Sequence, residues 1–412
     1  MSLFYGWKIS GLALLGNFLL QGGALYGMNA FMEPLCAQNG WTRMDVNMGL
    51  GVAALIAQIA MPISAAIAAK ISLRLLMGLG ALIGGLATCA MGLTGNIHVF
   101  TFYLIVVWVS SQFCGGVVGN ALMSNWFSHY RGVAFGVANS GTSLSGVILP
   151  MICLVLINHY SLKTAFLAVG LTTCLLAPLS WIIVRRSPAV LHLHADGRKH
   201  DPRQPKGIPR RAYFAELVRR PACWFIGCSF GLALMCASGI LSQLKPRYVD
   251  LGLESYTAML LASVSAGCGT AAKYFWGWAC DRWTPILAAR AIMLCCLFSM
   301  AVLFLPPSVW SLALFGVLFT CGSGGLWVVL PALTAYYFGA QRFLAVYKFI
   351  AVFILLRCLG FPIMGLSHEY FNNYLAADVA FMLALGAAFA MTMLLRESRA
   401  AEKRAHPRHH KK

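Results

Sequence analysis

Apolar runs of about twenty residues follow one another along this chain, and nothing else in it constrains the fold as strongly. They fall near 9–32, 46–68, 75–95, 99–124, 133–157, 164–184, 222–243, 256–279, 285–305, 309–335, 344–366 and 375–395. A run of about 20 apolar residues crosses the hydrocarbon layer as a helix. In lipid the helix also satisfies every backbone donor and acceptor within its own segment. Hydrophobic residues make up 59% of the 412, and charged residues only 10%. A soluble domain carries about 25% charged residues, so this chain cannot cover itself in water and needs a lipid bilayer as its partner. The expectation is an all-α membrane protein with twelve transmembrane helices. The first run extends to Phe31 without a small-residue cleavage site. It is too long for a signal-peptide core and is read as a retained span.

The net charge is +19, with 31 Lys and Arg. Ten of these lie between Arg185 and Arg220, and seven follow Leu395. They are loop and tail charges beside spans, which argues against nucleic-acid binding and for a topology signal. One set of loops holds Lys8, Lys70, Arg74, Arg131, Arg282, Arg290, Arg342, the 185–220 stretch and the tail; the other holds only Arg43, Lys163, Lys245 and Arg247. Positive charge on the inner side places both termini and the linker in the cytoplasm, as a multi-pass protein of the inner membrane. The 185–221 stretch carries Pro188, Pro202, Pro205 and Pro209 and reads as a linker.

The two sides of that linker repeat. Pro34 and Gly40 match Pro246 and Gly252 at an offset of 212. Trp126-Phe127 with Arg131 match Tyr337-Phe338 with Arg342 at 211, and Pro150 matches Pro362 at 212. Several matches at one offset, bracketing the same spans, indicate a duplicated six-helix unit. The domains expected are 1–184, a linker 185–221, 222–395, and a basic tail 396–412. Parallel halves with a site between them at mid-membrane are a transporter plan.

Two charges lie inside spans. Lys273 is eight residues before Asp281, roughly 12 Å into the membrane, and Arg357 is fifteen past Arg342, about 22 Å in. An ionised side chain there costs about 2.5–3.5 kcal/mol on insertion scales. Snorkelling to the interface is the structural alternative. Glu33, Asp281, Glu369 and Asp378 all sit at span ends, so the expected counter-ion is an anionic substrate. Arginine offers a carboxylate a two-pronged fork and lysine a point charge. The amides Gln21, Asn29, Gln112, Asn120 and Asn139 lie within spans and could donate to it, or bond between helices.

Over nearly its whole length the chain resembles the major facilitator superfamily. The run Gly277-Trp278-Ala279-Cys280-Asp281-Arg282, with Arg290 beyond, is similar to that superfamily's loop signature. It implies the major facilitator fold of two six-helix bundles. It also implies a latch at the inner mouth, with Asp281, Arg282, Arg131 and Arg342 as gating residues. The first half reads Ala65 through Lys70 to Arg74 with no acid. Tyr5-Gly6-Trp7, Gly40-Trp41-Thr42-Arg43, Asn125-Trp126-Phe127, Arg131-Gly132, Gly136, Ser140-Gly141 and Pro150 look like the oxalate/formate antiporter and monocarboxylate transporter branch. That branch has basic residues in spans 8 and 11, where Lys273 and Arg357 fall. Its aromatic walls correspond to Tyr26 and Trp327. The implied substrate site is Lys273, Arg357, Trp327, Tyr26, Gln112 and Asn120. An acid found four residues before the span 8 cation in animal-type monocarboxylate carriers is Gly269 here.

The expected activity is secondary transport of small carboxylates by a monomer, with no enzyme chemistry, cofactor or metal. No membrane His or acid is evident for proton coupling, which favours anion exchange. Efflux of hydrophobic compounds and a non-transporting sensor are the competing readings. The former calls for a membrane acid, the latter for a soluble domain.

Overall fold

The computed structural model describes residues 4–191, 193–197, 220–306, 308–371 and 373–395. Most of the linker and the basic tail therefore lie outside the described residues. No strand occurs among the described residues.

The first half comprises α1 (Tyr5–Gly16), α2 (Met28–Asn39), α3 (Arg43–Lys70), α4 (Leu73–Met91), α5 (Ile97–Cys114), α6 (Val117–Trp126), α7 (Arg131–His159), α8 (Leu162–Cys174) and α9 (Leu176–Ile183). The second comprises α10 (Pro221–Ser242), α11 (Leu244–Asp250), α12 (Ser255–Arg282), α13 (Pro285–Val302), α14 (Val309–Phe338), α15 (Phe343–Ile354), α16 (Gly360–Phe371) and α17 (Leu375–Met393). Among the described residues ten helices are long and apolar enough to cross a membrane, and a bent pair at the start makes an eleventh. The eighth place is taken by α12, which has 28 residues but is more polar. Loop chemistry sets the boundaries. A capping box of Thr42 and Asp45 starts α3, Asn96 caps α5, Ser161 caps α8, and Ser308 with Ser311 starts α14. Gly40 stops α2 at φ 70°, a left-handed conformation that only glycine adopts cheaply.

Four spans are not the single helices that their apolar runs suggest, span 6 dividing at Leu175 between α8 and α9. Span 1 passes through a π-helix over Asn17–Gly27, and its two ends meet at 48°. Single π turns are common at functional places, and one of eleven residues is long. Gly22 lies there against Ser145, where a Cβ would collide with that side chain. Span 4 breaks at Gly115 and Gly116 between α5 and α6. Span 11 tightens to a 3-10 turn over Leu355–Leu359, between α15 and α16. The residue carried on that turn is Arg357.

Packing joins neighbours within each half: α4 lies on α5 and α8, α12 and α13 on α14, and α10 on α17. Between halves, α7 packs along α12 and α3 along α15. We call the side bearing the linker the linker side. There α15, the linker-side part of span 11, meets α3, whereas α16 packs on α10. The residues that mark the resemblance at the chain start cluster at this end. Tyr5 stacks on Trp126 at 5.4 Å and donates its hydroxyl to the Ile183 carbonyl at 2.7 Å. Trp7 meets Phe127 at 4.8 Å. They tie spans 1, 4 and 6 together and lie at the end of the bundle rather than in its middle.

Candidate functional site

The seam between α7 and α12 organises the centre of the molecule. The two helices run antiparallel and touch through glycines. A Cβ on Gly277 would stand 2.6 Å from the Gly132 carbonyl oxygen, and one on Gly136 would stand 2.9 Å from that of Lys273. Backbones this close bring short polar side chains into reach. Tyr274 and Ser140 share a hydrogen bond of 2.7 Å across the seam.

Lys273 is buried at 7% exposure. Its ammonium donates to the Asn139 carbonyl at 3.1 Å and to Ser143 Oγ at 2.6 Å, both on α7. It does not snorkel. The same stretch of α7 serves two other spans. Asn139 donates its amide to Asn120 Oδ1 on α6 at 3.1 Å, and Thr142 donates to Gln21 Oε1 on the π segment at 3.4 Å. Residues 139–143 thus form a polar turn that meets spans 1, 4 and 8. In the sequence, Ser140 was named only as part of the resemblance, and Ser143 was not named. The signal was present: hydroxyls at 140 and 143 beside an Asn at 139 put three polar groups within one helical turn.

Arg357 is half-buried, with its guanidinium 5.7 Å from the centre of the Trp327 ring. That is cation–π distance, and such a contact is stronger where water is excluded. Trp327 stands on α14, which packs against α12 through Gly269 and Gly324. Lys273 lies four residues beyond the first glycine and Trp327 three beyond the second. The helices are parallel, so both sit about one turn from the same crossing and at matching depth. Gly269 is also where an acid would stand in animal-type monocarboxylate carriers. The Thr320 carbonyl oxygen lies 3.0 Å from its Cβ position, so any side chain there would be tightly packed.

The other expected site residues divide. Asn120 is buried and bonded to Asn139. The Tyr347 hydroxyl lies buried close to Asn120. Gln112 is buried beside the break in span 4, against Gly116. The side chain of Tyr26 lies outside the described residues.

At the linker-side end of the seam, the residues expected to form a latch make mostly backbone contacts. The Asp281 carboxylate accepts N–H bonds from Gly132 at 2.6 Å and Val133 at 2.8 Å, at the amino end of α7. These are donors that the first turn of a helix leaves unpaired, and the helix dipole favours an anion there. Arg131 donates to the Phe127 and Ser124 carbonyls and, at 3.4 Å, to the Ala335 carbonyl at the end of α14 in the other half. Arg342 is half-buried on the short 3-10 turn before α15, and Arg282 is exposed. Phe135 and Phe343 stack across the halves at 6.3 Å, and Phe343 stacks on Tyr347 at 5.0 Å. The linker joins this end. Asp196 accepts from Ser128 N at 3.0 Å, Ser128 Oγ at 2.8 Å and His129 N at 2.6 Å.

Two charges of the second half, each at a span end or in a loop as expected, meet as partners. Arg247 and Asp378, read as loop and span-end charges, form a buried ion pair of 2.5 Å. Arg247 is 2% exposed, on α11, with Tyr374 4.8 Å below its guanidinium. The short helix after span 7 folds back onto the end of span 12, which an apolar-run reading cannot foresee. The second half thus has a buried acid, and it is matched to Arg247.

A family model described as "Major Facilitator Superfamily" matches residues 13–347. Human monocarboxylate transporter 11 is 24% identical over 293 residues, 70% of this chain and 59% of that protein. Zebrafish (Danio rerio) monocarboxylate transporter 12-B is 26% identical over 248 residues, 54% of this chain and 51% of that protein. The chain thus spans little more than half the length of these relatives. Among solved structures, the transporter FucP in its outward conformation aligns with a TM-score of 0.71 and 14% identity, over 96% of this chain and 99% of that one. The Escherichia coli fucose:proton symporter aligns at 0.69 and 14%, over 95% and 98%. At that identity the likeness is one of fold.

Proposed function

The chain belongs to the major facilitator superfamily, and from that premise we propose that it is a secondary carrier of small organic carboxylates, working by alternating access between its halves. Residues 1–184 and 222–395 are the two moving bundles, with 185–221 joining them on the cytoplasmic face of the inner membrane and the basic tail 396–412 on the same face.

One observation carries the substrate class. Lys273 is a buried cation bonded to a carbonyl and a hydroxyl, with no carboxylate among its described partners. A charge in that setting is retained because an anion completes it. Arg357 on the Trp327 face supplies a second positive group with a planar fork. The relatives named as monocarboxylate transporters point to the same substrate class. Closure of the linker side by Asp281 on α7, Arg131 on α14 and Phe135 on Phe343 fits a carrier shut toward the cytoplasm. Exchange of one anion for another is the favoured mode of coupling, since the buried acid of the second half is engaged by Arg247.

The test is uptake of labelled oxalate, formate and lactate into liposomes holding purified protein. Lys273→Gln and Arg357→Gln are expected to insert normally and to lose transport. Wild-type uptake by both variants overturns the assignment.

A further inference from the structure

We propose that Ser143, on the first half of the chain, positions the substrate carboxylate together with Lys273, so that the anion is held by both halves at once. The inference rests on the carboxylate reading and adds to it a residue from the half that contributes no charge. An ammonium is a donor only, so in the 2.6 Å contact Ser143 Oγ must accept. Its own proton is then left for another acceptor. Several other span hydroxyls donate to their own helix, as Ser140 does to the Val137 carbonyl at 2.8 Å and Thr334 to Leu330 at 2.8 Å, and Thr142 donates to Gln21. Ser143 makes no such bond among the described residues, and the Asn139 carbonyl four residues back already receives Lys273. Ser143 is also half-buried, more open than the lysine it touches.

Two donors remain side by side. They are the third N–H of Lys273 and the O–H of Ser143, the latter polarised by the cation on its oxygen. One carboxylate presents two oxygens to such a pair. Hydrogen bonds to a charged group are the stronger kind. Because α7 and α12 come from opposite halves, a carboxylate bound this way adds a second tie between them beside the Lys273–Ser143 bond. Release of the anion on either side then requires the helices to part.

The experiment measures initial uptake of labelled oxalate and lactate into liposomes containing wild type, Ser143→Ala, Ser143→Thr or Lys273→Gln. Loss of a hydrogen bond to a charged group predicts that Ser143→Ala raises KM roughly tenfold or more with turnover little changed. Thr, which keeps the hydroxyl, should restore a near-normal KM, and its thermal unfolding without substrate should match wild type. A wild-type KM in Ser143→Ala overturns the proposal, as does a Thr variant as impaired as Ala, which would mark a packing role. If wild type takes up neither carboxylate, this proposal and the carrier reading fall together. If wild type transports, Lys273→Gln does not, and Ser143→Ala is unaffected, only the role of Ser143 falls.

Discussion

Replacing Gly277 by alanine should open the linker-side mouth. The new Cβ would stand 2.6 Å from the Gly132 carbonyl oxygen, 3.1 Å from its carbon and 3.3 Å from Val133 Cα. All three are backbone atoms on a packed helix, so none can swing aside. Overpacking of this kind costs about 1–3 kcal/mol, and the cost falls only on the state in which α7 and α12 touch. The balance between closed and open mouths then shifts by roughly 5- to 150-fold. Cys280 reports it: the residue is 5% exposed and packs against Gly132. Alkylation in native membranes, followed peptide by peptide, should show Cys280 labelled faster by that factor. Gly267→Ala on the same helix is the control, since nothing lies within 4 Å of its Cβ position. It carries the same gain in helix propensity without the clash. If Cys280 reacts no faster in Gly277→Ala than in the control, the glycine contact does not hold the mouth shut.

Two further outcomes follow from the charges. Asp378→Asn leaves Arg247 buried without its counter-charge and should cost about 3–5 kcal/mol, read as a fall in unfolding temperature in detergent; Arg247→Met with Asp378→Leu should recover most of it. Asp196→Ala removes the acceptor for the backbone N–H groups of Ser128 and His129, so hydrogen exchange at those amides should accelerate while exchange in the middle of α7 stays unchanged.

The number and placement of helices could be read from the sequence because the bilayer forces the reading: a run of about 20 apolar residues has few other fates. Lys273 and Arg357 were singled out because each is a charge within an apolar run. What escaped was anything set by a partner on a distant helix. Asp281 was expected to meet a basic side chain, yet it receives two backbone N–H groups, which no residue type announces. Arg247 and Asp378 are 131 positions apart, and each looks like an ordinary loop charge until α11 folds back. The π segment of span 1 left no mark on its hydrophobic run, because a change of helical pitch keeps the composition and alters only which residues share a face. Ser143 was hidden by the same limit, since its importance lies in the lysine it meets.

The bond between Lys273 and Ser143 also bears on the history of the chain. A duplicated unit begins as two interchangeable copies, and a pair of identical halves would serve as well as one fused chain. At the repeat offset of 212, Ser143 corresponds to Leu355 and Lys273 to Met61. Two copies of the second half would set each lysine against a leucine, and two copies of the first would lack the lysine altogether. The proposed pair therefore needs one copy of each half, since neither half carries both residues at its own repeat positions.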